Sequence, residues 1–76
     1  MKLPVVSGKT VVKFLNRKGF EIVGRKGCHI RMNKKTPAET LVTVVPFHKK
    51  LDAGTLLGIL KQCGVSKEEF MKEFRQ

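Results

Sequence analysis

The sequence is short of several residue types, and these shortages narrow what the chain can do. It has no tyrosine and no tryptophan, only two histidines and only six acidic residues. Few side chains are therefore available to transfer protons near neutral pH, where histidine has its ordinary pKa. No apolar stretch approaches the roughly 20 residues that a helix needs to cross a bilayer. We expect no membrane-spanning segment.

Cysteine is also scarce, which argues against a disulfide framework and a zinc site. The first residues of the chain do not resemble a signal peptide, so we expect a cytoplasmic protein with reduced, half-buried thiols at Cys28 and Cys63. A zinc site would need four ligands in closely spaced pairs. Cys28, His29, His48 and Cys63 do not provide such pairs, and the sequence predicts no metal site.

Positive charge is abundant and unevenly distributed. The 16 basic and six acidic residues give a formal net charge of +10. Residues 1–50 contain twelve of the basic and two of the acidic residues, whereas residues 51–76 contain four of each. Such a field attracts polyanions, and nucleic acid is the usual one. Charge alone favours nucleic acid only moderately, because a basic surface can also serve solubility.

Three β-prone segments in the middle of the chain predict an antiparallel sheet. They cover residues 20–23, 28–32 and 40–45. Residues 25–27 are predicted to form the turn between the first two strands, and residues 33–38 a polar loop before the third. Because the connections between consecutive strands are short, we expect a meander.

Segments with helical periodicity precede and follow these strands. Residues that cap or end a helix mark the limits: Ser7, Gly19, Asp52, Gly64 and Ser66. Ser66 with Glu69 forms a capping-box pattern, and Phe70 and Phe74 are expected to dock this short last helix. The prediction is one α+β domain over residues 1–76, with the order α-β-β-β-α, a three-stranded antiparallel sheet and a short extra C-terminal helix. Helices on one face of the sheet would leave the other face open.

His29 is the first candidate for chemistry. Strand alternation places His29 and Arg31 on one face and Cys28 on the apolar face, where it would serve packing. Cleavage of an RNA strand needs a base for the 2′-hydroxyl proton, an acid for the leaving oxygen and cations for the phosphate. A histidine can perform either proton transfer, which contributes about 10²–10⁴ in rate. From the pattern alone, a surface or phosphate-contacting histidine is the more usual outcome, so this role stays open.

Basic residues near the two histidines are candidates for phosphate binding. His48 follows the third strand, just ahead of the second helix, whose N-terminus is expected to attract phosphate. For His48, a second catalytic role and a role in positioning the substrate both stay open. The predicted RNA-binding residues are Arg25, Lys26, Arg31, Lys49 and Lys50.

Four ordered segments resemble one known family. They are Gly19-Phe20-Glu21 after the first helix, Gly27-Cys28-His29 at the second strand, Val45-Pro46-Phe47-His48 after the third, and residues 54–66 (GTLLGILKQCGVS). Taken together and in this order, they resemble the HicA toxin family over nearly the whole chain.

This resemblance implies a fold like the double-stranded-RNA-binding domain and a cofactor-free, metal-independent mRNA interferase (an endoribonuclease) of a toxin–antitoxin system. The histidine of the family's Gly-Ser-His segment, which carries catalysis as general acid or base, corresponds to His29. The implied partners are mRNA and a HicB-type antitoxin that covers this histidine, and we expect oligomers only with the antitoxin. Cys28 stands where the family has serine; the change is mild if the cysteine points inward, and affects activity if it orients His29.

Two other interpretations remain open at this point. A non-catalytic RNA-binding module of the same fold would need the basic residues but not His29. A protein-interaction subunit would use its basic face only to bind an acidic partner.

Overall fold

The computed structural model describes residues 3–73 and gives the predicted order of elements. The elements are α1 (Gly8–Arg17), β1 (Glu21–Lys26), β2 (His29–Lys35), β3 (Thr40–Pro46), α2 (Ala53–Gln62) and α3 (Lys67–Lys72). This confirms the α+β class and the α-β-β-β-α order with a short extra helix, as expected for a fold like the double-stranded-RNA-binding domain. Within residues 3–73, no helix is long and apolar enough to span a membrane.

The sheet is an antiparallel meander in the order β1-β2-β3, as predicted. The central strand β2 pairs with both neighbours: His29 lies opposite Lys26 of β1 and Pro46 of β3. Between Ile22 and Gly24 the register of β1 shifts, so Val23 is an extra residue in a β-bulge. This shift determines which residue of β1 lies opposite each residue of β2 beyond the bulge.

The predicted limits of the first two strands are wrong. Residues 25 and 26 extend β1 instead of forming a turn, because they continue the ladder with β2. The turn is Gly27-Cys28, where Gly27 has a φ of 58°, a conformation that tight hairpins need and that glycine adopts without strain. Residues 33–35 likewise extend β2 and pair with β3. The loop is thus shortened to residues 36–39.

The predicted helix caps are confirmed. Ser7 Oγ accepts a hydrogen bond from Thr10 N at 3.1 Å, and Ser66 Oγ accepts one from Glu69 N at 3.0 Å. The Glu69 carboxylate binds Lys18 Nζ at 2.7 Å, and this hydrogen bond lowers the pKa of Glu69. Glu69 therefore ties α3 to the end of α1, a role that the capping-box pattern does not predict.

The core lies between the helices and one face of the sheet. Its most deeply buried apolar side chains are Val11, Phe14, Leu15, Met32, Val45, Leu56, Leu60 and Phe70. The rings of Phe14 and Phe70 meet edge to face, with centroids 4.9 Å apart and an interplanar angle of 78°. Phe70 thus docks α3 as predicted, while Phe74 lies outside the described residues.

The start of α1 packs closely against the end of β3. Gly8 N donates a hydrogen bond to His48 O at 2.8 Å. A Cβ atom built on Gly8 would lie 2.1 Å from Pro46 O, far inside van der Waals contact. Only glycine therefore allows this approach of helix and strand.

We predict that Gly8→Ala lowers the free energy of unfolding by about 1–3 kcal/mol, because the added methyl group forces α1 away from β3. Gly58→Ala is the matched control, since a Cβ built on Gly58 has no atom within 4 Å. In the interior of α2 this change should raise the free energy of unfolding by roughly 0.5–1 kcal/mol. Urea denaturation of both variants measures the two effects, and equal midpoints would contradict the packing described for Gly8.

Candidate functional site

Strand alternation along β2 is as predicted from His29 onward. Ile30 and Met32 are 3% and 0% exposed and face the core, whereas His29 and Arg31 are exposed on the opposite side. The helices cover the first side only. His29 and Arg31 therefore lie together on the open face of the sheet.

Neighbouring strands bring further residues to His29. Lys26 lies directly opposite His29 on β1, and Val44 lies opposite Arg31 on β3. Directly paired residues of antiparallel strands share a face of the sheet. An open cavity of about 430 Å³, the histidine cleft, is lined by these four residues and by Arg25, which is exposed although it lies opposite the buried Ile30.

Gly24 determines where Arg31 lies, a role that was not predicted from the sequence. The two residues are opposite each other, directly after the β-bulge. A Cβ atom built on Gly24 would lie 2.6 Å from Arg31 Nη2 and 2.9 Å from Nε, so the guanidinium group crosses the backbone of Gly24. A glycine directly after a β-prone segment is the signal that could have indicated this close approach.

The side chain of Arg25, which lines the histidine cleft, is held by Phe47 and Gly27. Its guanidinium carbon lies 5.7 Å from the ring centroid of Phe47, and its Nε donates a hydrogen bond to Gly27 O at 3.5 Å. Phe47 N in turn donates to Cys28 O. Phe47 is 38% exposed, and an exposed aromatic ring beside arginine is a feature of nucleic-acid sites. Phe47 is therefore a site residue that was not predicted from the sequence.

The cations of the histidine cleft have no acidic partner among residues 3–73. Ion pairs in this part of the chain join Arg17 to Glu73 at 3.3 Å and Lys18 to Glu69 at 2.7 Å, both on the helical side. The same residues contain no group of three or more His, Cys, Asp or Glu side chains placed to hold a metal ion. The positive charge of the cleft is therefore available to an external anion.

Comparison with known families now identifies the chain. The model of a family described as the HicA toxin of bacterial toxin–antitoxin systems matches residues 8–65. The chain belongs to the HicA toxin family. The matched range runs from the first residue of α1 past the end of α2 and includes both histidines. No curated protein and no solved structure matches the chain significantly.

In this HicA toxin, the segment after β3 lies outside the lining of the histidine cleft. His48, Lys49 and Lys50 are exposed between β3 and α2. The N-terminus of α2, expected to attract phosphate, is occupied by the carboxylate of Asp52. This carboxylate accepts hydrogen bonds from Thr55 Oγ1 at 2.6 Å and Thr55 N at 3.3 Å, which lower the pKa of Asp52. Because the carboxylate is negatively charged, it opposes phosphate binding there.

The predicted position of Cys28 is wrong. It is exposed in the hairpin turn, so the inward orientation that would make its replacement of the family's serine a mild change does not apply. Alternation begins only at His29, because the turn takes up Gly27 and Cys28. Cys63 is buried, and burial raises the pKa of its thiol to about 11. Both cysteines are free, as expected, but neither is half-buried.

We predict that iodoacetamide at neutral pH alkylates Cys28 in the folded protein and spares Cys63. The cysteine thiolate attacks the carbon of the reagent and displaces iodide, whereas Cys63 is buried and its thiol stays protonated to well above neutral pH. Mass spectrometry of the intact protein should show one added group, and two after denaturation. Modification of Cys63 in the native state at the rate of Cys28 would contradict this arrangement.

Proposed function

We propose that this HicA toxin is an endoribonuclease that cleaves mRNA in the histidine cleft without a metal ion or cofactor. The observation that carries the proposal is the exposed His29 on the open face of the sheet, among three cationic side chains. Membership of a toxin–antitoxin family supports it, because cleavage of transcripts would arrest growth.

In the proposed reaction, His29 removes the proton of a ribose 2′-hydroxyl group. The 2′-oxygen then forms a bond to the adjacent phosphorus, and the bond from phosphorus to the 5′-oxygen breaks. The leaving 5′-oxygen takes a proton from the imidazolium of His29 or from water, so the proton removed from the 2′-hydroxyl group is replaced on the leaving group. General acid–base catalysis of this kind contributes about 10²–10⁴ in rate.

Cations on both sides of His29 would stabilise the charge that develops on phosphate. Lys26 is directly opposite His29, so their Cβ atoms are about 4.5–5.5 Å apart. Arg31 is two residues along β2, or roughly 6.5 Å. Its planar guanidinium group can donate two hydrogen bonds to one phosphate, and loss of one such donor typically costs about 10²–10³ in kcat.

The remaining predicted site residues would bind RNA outside the cleft. Lys49 and Lys50 are exposed on the segment after β3 and would contact phosphates there, while His48 would position the substrate or act as a second catalytic group. We also propose that the protein is cytoplasmic and that residues 1–76 form a single HicA domain. A HicB-type antitoxin would cover His29, and the protein would form oligomers only with this antitoxin.

We predict that His29→Ala removes growth arrest on expression and lowers the rate of RNA cleavage by about 10²–10⁴. The side chain of His29 is exposed, so the variant should unfold at the temperature of the wild type. Lys61→Ala, a change at an exposed residue of α2 that does not line the histidine cleft, is the control and should leave both effects unchanged. Transcript integrity after brief induction, and cleavage of a labelled RNA in the presence of EDTA, measure the outcome.

The same variants, together with two binding measurements, separate the alternatives. Growth arrest and transcript loss that persist in His29→Ala would refute the catalytic assignment. A wild-type protein that binds RNA without cutting it would indicate the non-catalytic module of the same fold. Binding to an acidic protein that survives high salt and is not competed by RNA would indicate an interaction subunit, since phosphate contacts weaken steeply with salt.

A further inference from the structure

A second cleft lies at the opposite end of the strand that carries His29. This distal cleft has a volume of about 300 Å³ and is lined by Gly19, Glu21, Asn33, Lys34 and Lys35. His29 is the first residue of β2 and Lys35 is the last. At about 3.3 Å per residue, the two clefts are roughly 20 Å apart along the strand.

We propose that the distal cleft is a second binding site for the same RNA, which lies as an unpaired strand along the open face of β2. This inference rests on the proposed function and adds to it a path for the substrate. The cleaved phosphate would occupy the histidine cleft, and nucleotides on one side of it would reach the distal cleft.

The first support is a polar row along β2. Alternation places Asn33 and Lys35 on the same face as His29 and Arg31, with roughly 6.5 Å between successive members of the row. Lys35 is exposed and, among residues 3–73, belongs to neither of the two ion pairs. The row therefore carries positive charge from one cleft to the other, as an extended phosphate backbone requires.

The second support is an apolar row beside it on β3. Val42 lies opposite Asn33 and is 54% exposed, and Val44 lies opposite Arg31 and is 39% exposed. Apolar groups next to a cationic track suit the faces of unpaired bases, which an RNA duplex keeps stacked inside its helix. The combination of the two rows thus favours a single strand over a duplex.

The distal cleft itself offers hydrogen-bonding groups as well as charge. Glu21 and Asn33 are directly paired across β1 and β2. A carboxylate repels phosphate, but with an amide it matches a base edge or a ribose hydroxyl, because the pair presents acceptors and donors together. Lys34 is partly engaged elsewhere, with its Nζ 5.9 Å from the ring centroid of Phe20. Lys35 is therefore the residue that we assign to a phosphate.

The test uses an octanucleotide of 2′-O-methyl RNA, which lacks the attacking hydroxyl group and stays intact whichever residue is catalytic. Binding to the full chain is measured by fluorescence anisotropy over a range of salt concentrations. Lys35→Gln removes the proposed phosphate contact, and Lys61→Gln on α2 is the control with the same change in charge. We expect Lys35→Gln to weaken binding about 3–10-fold at low salt and to reduce the slope of log K against log salt by about 0.7.

Two further measurements make the result specific. Lys35→Arg should restore the affinity, and annealing the octanucleotide to its complement should weaken binding to the wild type. Equal affinity and salt slope for Lys35→Gln and Lys61→Gln would overturn the inference, as would a duplex that binds as tightly as the single strand. If the wild type still cleaves RNA in either case, the proposed function stands without the distal cleft. If the wild type neither binds nor cuts RNA, both fail together.

Discussion

The arrangement of the candidate site depends on the pairing of β2 with both of its neighbouring strands. Burial of Ile30 and Met32 against the helices fixes which face of β2 points inward, and a slip of one residue would bury His29 instead. The ladders to β1 and β3 then set what surrounds His29: Lys26 on one side and Pro46 on the other. A hydrophobic constraint on one face of the sheet thus positions the polar groups on the other.

The ion pairs of residues 3–73 lie on the helical side of the fold. The acidic residues Asp52 and Glu69 belong to the helical side, where Asp52 caps α2 and Glu69 binds Lys18. Hydrogen bonds lower the pKa of both carboxyl groups, so they are ionised at neutral pH and stay engaged within the protein. The strands keep cations whose charge no carboxylate in residues 3–73 neutralises by an ion pair. The open face of the sheet therefore keeps its cations available to an external anion.

Local signals in the sequence predict which helices and strands form, but they do not predict where the first two strands end. Ser7, Asp52 and Ser66 cap the helices as predicted, because a cap depends on residues within one turn. The ends of β1 and β2 were misplaced because Arg25 and Lys26 resemble turn residues locally, yet gain ladder partners on β2. The predicted position of Cys28 is wrong because the hairpin turn ends one residue later than predicted, so β2 begins at His29 and Cys28 lies in the turn.

The sequence by itself determined the α+β order, the excess of positive charge and the exposure of His29 and Arg31. These follow from local propensity, composition and the two-residue period of a strand, none of which needs distant contacts. Only the tertiary structure decided that the guanidinium group of Arg31 crosses Gly24 and that Phe47 lies beside Arg25. It also decided that a second cleft lies at the far end of β2. Those features depend on a β-bulge and on cross-strand register, which join residues far apart in the chain and which a single sequence does not encode as a local pattern.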